Sequence, residues 1–173
     1  MLIDASNSYY SSDICPGFWE ALSQVKSVIS IDRVKHEIVK KEEKKDEEDK
    51  LAKWAKNVQK SFFVSTDDES VISKQEEIAN WIWKLEKPKD FTKKYFLEGA
   101  DIWLIAYSIV KKTVMVTLET PVNSESKKIK IPNVCKEFNV ECVNTFHILK
   151  ELGIEFRLSR KDNSLERGGL EEP

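Results

Sequence analysis

Four carboxylates stand out by where they sit rather than by any short motif: Asp4, Glu37, Asp101 and Glu119. Asp4 follows a short apolar start, Met1–Ile3, which reads as a first strand. Glu37 lies in the second turn of a helix that follows an apolar Val28–Ile31 strand. Asp101 opens a helix, and Glu119 stands at the carboxyl end of a Thr113–Leu118 strand. In a parallel α/β architecture, strand carboxyl ends and helix amino ends share one edge of the sheet, where ligands bind. Carboxylates crowded there repel one another unless a cation is present. An all-oxygen donor set suits a hard ion, Mg²⁺ or Mn²⁺. Such a site fits phosphodiester hydrolysis, in which the ion polarises the phosphate and activates water. Each acid also has a plain reading: Asp101 as a helix-start charge, Glu37 as a solvated residue, Asp4 as a turn former and Glu119 as a strand-end charge.

The elements that must position these acids centre on Glu98–Glu119 (EGADIWLIAYSIVKKTVMVTLE). Ile102, Ile105, Ala106, Ile109 and Val110 recur at helical spacing and make one apolar face. Lys111 and Lys112 close that helix, and the β-branched run after them suits a central strand. Further strands are expected at Ser61–Ser65 and Val140–Asn144. Helices are expected after Cys15-Pro16, after Asp32, around Leu51–Val58, over Ile72–Leu85, over Phe91–Leu97, from Pro132 to Phe138 and over Thr145–Leu152. Five strands alternating with helices predict an α/β fold, a three-layer α/β/α sandwich around a mainly parallel five-stranded sheet. Residues 1–158 form one domain, and residues 159–173 form a loose tail whose last stretch (LERGGLEEP) has the look of an expression scar.

Composition narrows the classes. The chain has 173 residues, 34 % of them charged, and a formal net charge of −2. That balance excludes nucleic-acid binding by bulk electrostatics but leaves room for a local basic groove. Lys40–Lys50 is charged at every position, and its mixed signs suit a solvated helix face better than a basic tail. Arg33 and Lys35 flank the second acid, and Lys127, Lys128 and Lys130 flank the fourth; they read as contacts to an RNA backbone or as solvated charges. Cys15, Cys135 and Cys142 have no CxxC spacing and read as buried, reduced thiols of a cytoplasmic protein. Two histidines are too few for a His/Cys metal centre. No stretch has the length and apolarity of a membrane span. Trp81 belongs to the core by spacing, whereas Trp83, Phe91, Tyr95 and Phe96 read as a partner-binding patch or a second core layer.

The order LIDASN, ISIDRVKHEI, FLEGADIWLIAYS and TVMVTLE resembles the PIN-domain nucleases. The chain is more closely similar to a PIN-like bacterial and archaeal family long catalogued as a domain of unknown function. The landmarks are Cys15–Trp19 (CPGFW), Ile78–Trp81 (IANW), Lys128–Cys135 (KIKIPNVC) and Asn144–Phe146 (NTF), and the likeness covers roughly residues 2 to 156. The resemblance implies a Mg²⁺- or Mn²⁺-dependent endoribonuclease, the toxin of a type II toxin–antitoxin pair. Its partners would be an RNA substrate, a protein antitoxin and a second copy of the chain in a homodimer. By position its acids fall on Asp4, Glu37, Asp101 and Glu119, the last a departure from the Asp usual in PIN domains. Asn7 falls near the first acid, placed to hold a water or a phosphate. Two other readings stand beside this one. The first is a PIN fold that binds RNA or a protein without turnover. The second is a small-molecule phosphatase, weakened because Asp4-Ala5-Ser6 has no second Asp two residues on.

Overall fold

The computed structural model describes residues 2–42 and 49–156. The 159–173 tail and most of the charged run, residues 43–48, lie outside the described residues. The chain is α/β, and helices dominate it. In order it comprises α1 (Leu2–Asp4), a π-helical turn (Ala5–Tyr9), α2 (Pro16–Gln24), β1 (Ser30–Ile31), α3 (Asp32–Glu42) and α4 (Lys50–Asn57). A 3₁₀ turn (Lys60–Phe62), β2 (Phe63–Val64), α5 (Glu69–Lys84), α6 (Asp90–Glu98) and α7 (Asp101–Lys111) follow. The described chain ends with β3 (Met115–Val116), α8 (Ile131–Glu137), β4 (Cys142–Val143) and α9 (Thr145–Glu151).

Local chemistry accounts for most helix starts. Pro16 sits at the opening of α2, where a missing N–H costs nothing. Asp49 caps α4 by accepting from the N–H groups of Leu51 (2.9 Å) and Ala52 (3.4 Å). Asp68 caps α5 through Ser70 N–H (2.9 Å) and also pairs with Lys111 (2.9 Å), tying α5 to the end of α7. Asn144 caps α9 through His147 N–H at 2.8 Å.

The sheet departs from expectation. Among the described residues there are two separate two-stranded sheets rather than one of five strands. β1 pairs with β2 in parallel, Ser30 opposite Phe63 and Ile31 opposite Val64. β3 pairs with β4 in parallel, Met115 opposite Cys142 and Val116 opposite Val143. The expected first strand is absent: Leu2–Asp4 is helical and runs into a π turn closed by Tyr10 N–H to Ala5 C=O at 2.7 Å. The reason is tertiary. Leu2 and Ala5 are both buried, three residues apart, which a helix satisfies and a strand does not. A run of three apolar residues is too short to show either period.

Two apolar clusters form the interior. The first gathers Leu2, Phe18, Trp19, Leu22, Ile31, Val34, Ile38 and the buried face of α4. The second gathers Val71, Ile78, Ile82, Ile102, Ile105, Ala106, Met115 and Val134. Helix α7 serves both: Ile102, Ile105 and Ala106 are fully buried in the second cluster, while Trp103, Leu104 and Tyr107 also pack against the first. Trp81 packs against the second cluster, as its spacing predicts, and meets Phe138 edge-on at 5.7 Å. Phe96 is buried, whereas Trp83, Phe91 and Tyr95 are exposed. No described helix is long and apolar enough to cross a membrane.

Candidate functional site

Asp101 is the first residue of α7, where unpaired backbone N–H groups and the helix dipole favour a carboxylate. Its environment works against ionisation. Burial is the main cause that pushes its carboxyl above the ordinary aspartate value, and the charges of Glu119, Glu37 and Asp4 push it further in the same direction. The fold thus brings all four sequence-predicted acids within electrostatic reach of one half-buried carboxyl.

The four differ in how they are held. Glu37, on α3, accepts the backbone N–H of Ala100 at 2.7 Å through Oε1. It therefore caps α7 from outside that helix and stands beside Asp101. Glu119 follows β3 and has both oxygens engaged. Oε1 pairs with the Lys130 ammonium, and Oε2 accepts from Ile131 N–H, the first residue of α8, at 2.8 Å. Glu119 is thus also a remote helix cap. Asp4 ends α1 and is exposed, and Asn7 is exposed on the π turn that follows. Because α1 is not a strand, Asp4 stands on a helical turn and not at a sheet edge.

Two clefts frame this region. One of about 450 Å³ is lined by Glu37 together with Asp32, Arg33, His36, Glu98 and Trp103. The other, of about 660 Å³, is lined by Glu119, Thr117, Lys136, Cys142, Asn144 and Phe146, among others. Asp32, His36, Glu98 and Trp103 were not legible as site residues in the sequence. Asp32 has the form of a helix-start acid, which is what the sequence shows, but its side chain does more. Its carboxylate accepts from Thr66 Oγ1 (2.8 Å), Thr66 N–H (3.2 Å) and Arg33 N–H (2.8 Å). Asp32 therefore locks the carboxyl end of β1 to the residues after β2. The only advance signal was its position directly after a strand.

The basic residues divide. Arg33 stacks on Trp103, 3.6 Å from the ring centroid, and donates from Nε to Thr66 Oγ1 at 3.0 Å. That is a fixed guanidinium bridging α3 and α7. Lys130 is committed to Glu119. Lys35 lies over the Phe63 ring at 5.5 Å. Lys128 is exposed, with its backbone N–H bonded to Ser126.

The donor chemistry fits a hard dication: the groups around Asp101 are carboxylates, and the raised affinity of Asp101 for its proton is what a bound cation would relieve. The side chains are not closed into a cage. Among the described residues, no three His, Cys, Asp or Glu groups are grouped tightly enough to hold an ion as they stand. Glu37 has one oxygen engaged, by Ala100 N–H, and Glu119 has one donor on each oxygen.

No curated protein and no solved structure matches this chain. A family model does, over residues 1–156, which spans every acid of the site and all the described elements that carry them. The chain belongs to the family described as a domain of unknown function, DUF4411.

Proposed function

We propose that the protein is a metal-dependent endoribonuclease of PIN-like type, the toxin of a toxin–antitoxin pair, that hydrolyses RNA phosphodiester bonds. The observation that carries this reading is the Asp101 carboxyl, half-buried at a helix start and raised in proton affinity by burial and by Glu119, Glu37 and Asp4. Asp4, Glu37 and Asp101 would hold the Mg²⁺ or Mn²⁺ ion. When bound, the ion would supply polarisation of the phosphate and activation of water. Ala100 N–H fixes the Glu37 carboxylate through Oε1, so the side chain is oriented before any ligand arrives. Asp101, with its raised affinity, is suited to take a proton from water. Glu119 adds negative field while anchoring Lys130 and the start of α8. Lys128 and Lys35 would meet the RNA backbone, and the Arg33–Trp103 stack forms a wall of the cleft beside Glu37.

The test is cleavage of total RNA by protein purified free of any partner, with Mn²⁺ and with chelator. Cleavage should require Mn²⁺ and should be lost in Asp101→Asn, with circular dichroism unchanged; induced wild type should also arrest growth. A second reading, a PIN fold that binds RNA without cutting it, draws on one observation. Glu119 has both oxygens engaged at the position where PIN domains usually carry Asp. RNA retained on the protein in chelator, with no cleavage in Mn²⁺, would replace the nuclease reading with this one.

A further inference from the structure

Helix α6 carries aromatic rings on its outer face. Phe91 is 70 % exposed and Tyr95, one turn on, is 83 % exposed; Trp83, in the last turn of α5, is 43 % exposed. A ring left in water contributes little to the fold, and three so close in sequence mark a surface that meets a ligand. Lys93, buried on the inner side of α6, fastens the patch. Its Nζ donates to the Trp83 carbonyl at 3.0 Å, lies 5.8 Å from the Trp83 ring centroid and stands 3.9 Å from Asp90. The surrounding charge is positive: residues 83–95 hold five lysines and two acids, in a chain of net charge −2. Lys89 and Lys94 are exposed and, among the described residues, unpaired. Phe91, Tyr95 and Glu98 fall at i, i+4 and i+7, on one side of the helix. Glu98 lines the cleft of about 450 Å³ beside Glu37, so the aromatic face runs down to the acids.

We infer that the outer face of α6 is a binding surface for single-stranded RNA, with Phe91 and Tyr95 stacking on its bases and Lys89 and Lys94 meeting its phosphates. Rings and cations interleaved along one exposed face are what a flexible polyanion with free bases recognises: every base has a face to stack, and every phosphate a charge to neutralise. A duplex offers the charge but keeps its bases stacked on one another, so the rings select the single strand. The direction of the face favours a strand over a protein partner. From Phe91 to Glu98 is about 10 Å along the helix, and a strand lying there passes from the rings to the cleft beside Glu37. The choice of RNA over DNA rests on the ribonuclease reading above; the surface chemistry itself asks only for a single strand.

The experiment measures the fluorescence anisotropy of a labelled oligouridylate on the purified full chain, in chelator, so that binding is read without cleavage. The wild type should bind it, and should bind a duplex RNA of the same length more weakly. Phe91→Ala and Tyr95→Ala should each weaken single-strand binding about five-fold or more, the effect of one lost base stack, and leave the salt dependence in place. Tyr95→Phe, which keeps the ring, should bind as the wild type does. Lys94→Ala should instead lower the slope of log affinity against log salt by about 0.7. Circular dichroism should be unchanged throughout, because these side chains are exposed. A folded double variant, Phe91→Ala with Tyr95→Ala, that binds the oligonucleotide as tightly as wild type overturns the inference. So does a wild-type dimer that this double variant splits into monomers with RNA affinity unchanged, which makes the patch a protein interface. The nuclease reading fails separately: a chain that binds through the rings but does not cut RNA with Mn²⁺ loses the catalysis and keeps this surface.

Discussion

Glu37 Oε1 accepts the backbone N–H of Ala100 at 2.7 Å, across 63 positions of sequence. One carboxylate thereby satisfies an otherwise unpaired donor at the start of α7 and sits next to Asp101, whose ionisation it opposes. Stability and chemistry pull on Glu37 in opposite senses, which makes the two roles separable by substitution.

Glu37→Ala should lower stability by about 1 kcal/mol, the typical cost of losing a capping acceptor. Glu37→Gln keeps an oxygen that accepts from Ala100 N–H while removing the charge, so most of the stability should remain and RNA cleavage should fall. Urea unfolding of both variants, alongside cleavage with Mn²⁺, checks this. Equal destabilisation by Ala and Gln would show that charge, and not the hydrogen bond, is what Glu37 contributes.

Asp101 gives stability a distinct pH dependence. Its folded pKa lies above its unfolded value, so between the two the folded chain holds more protons than the unfolded one. Stability from this group is therefore greatest below the ordinary aspartate range and declines as pH rises through the raised folded pKa. In chelator at neutral pH, Asp101→Asn should melt higher than wild type, and its melting temperature should vary less with pH across the acidic range. Addition of Mn²⁺ should raise the wild-type melting temperature, because a ligand of the folded state stabilises it, and should raise that of Asp101→Asn less. Calorimetry in the two conditions reads both effects. An Asp101→Asn variant that melts lower in chelator and responds fully to Mn²⁺ would leave Asp101 as a structural helix-start residue.

Lys128 and Lys130 are two positions apart and should behave differently. Lys130 is paired with Glu119, so Lys130→Ala should act chiefly on stability by releasing a carboxylate that also holds α8. Lys128 is exposed, so Lys128→Ala should leave the melting temperature in place. It should weaken RNA binding across sequences and reduce the slope of log affinity against log salt by roughly one contact's worth, about 0.7 for single-stranded RNA. Filter binding over a salt series, with melting curves, distinguishes the two. Unchanged RNA affinity in Lys128→Ala would remove that loop from the proposed interface.

Periodicity and caps carried the helices. The Ile102–Ile105–Ala106 face of α7 and the placement of Asp101 in its first turn are both local patterns, and the structure has them as the sequence predicts. These features depend on neighbours within a turn or two, so a linear reading contains what it needs. The tertiary structure decided the rest. Leu2–Asp4 is a helical turn because Leu2 and Ala5 must both be buried, and the expected five-stranded sheet is replaced by two parallel pairs. Glu119 is held by Lys130 and Ile131 N–H, and Arg33 is laid on Trp103. Each of these pairings depends on where the fold sets a side chain beside another element. Hydrogen bonds and charges act over a few ångströms of space whatever their separation along the chain, and only the packed structure says which distant groups come that close.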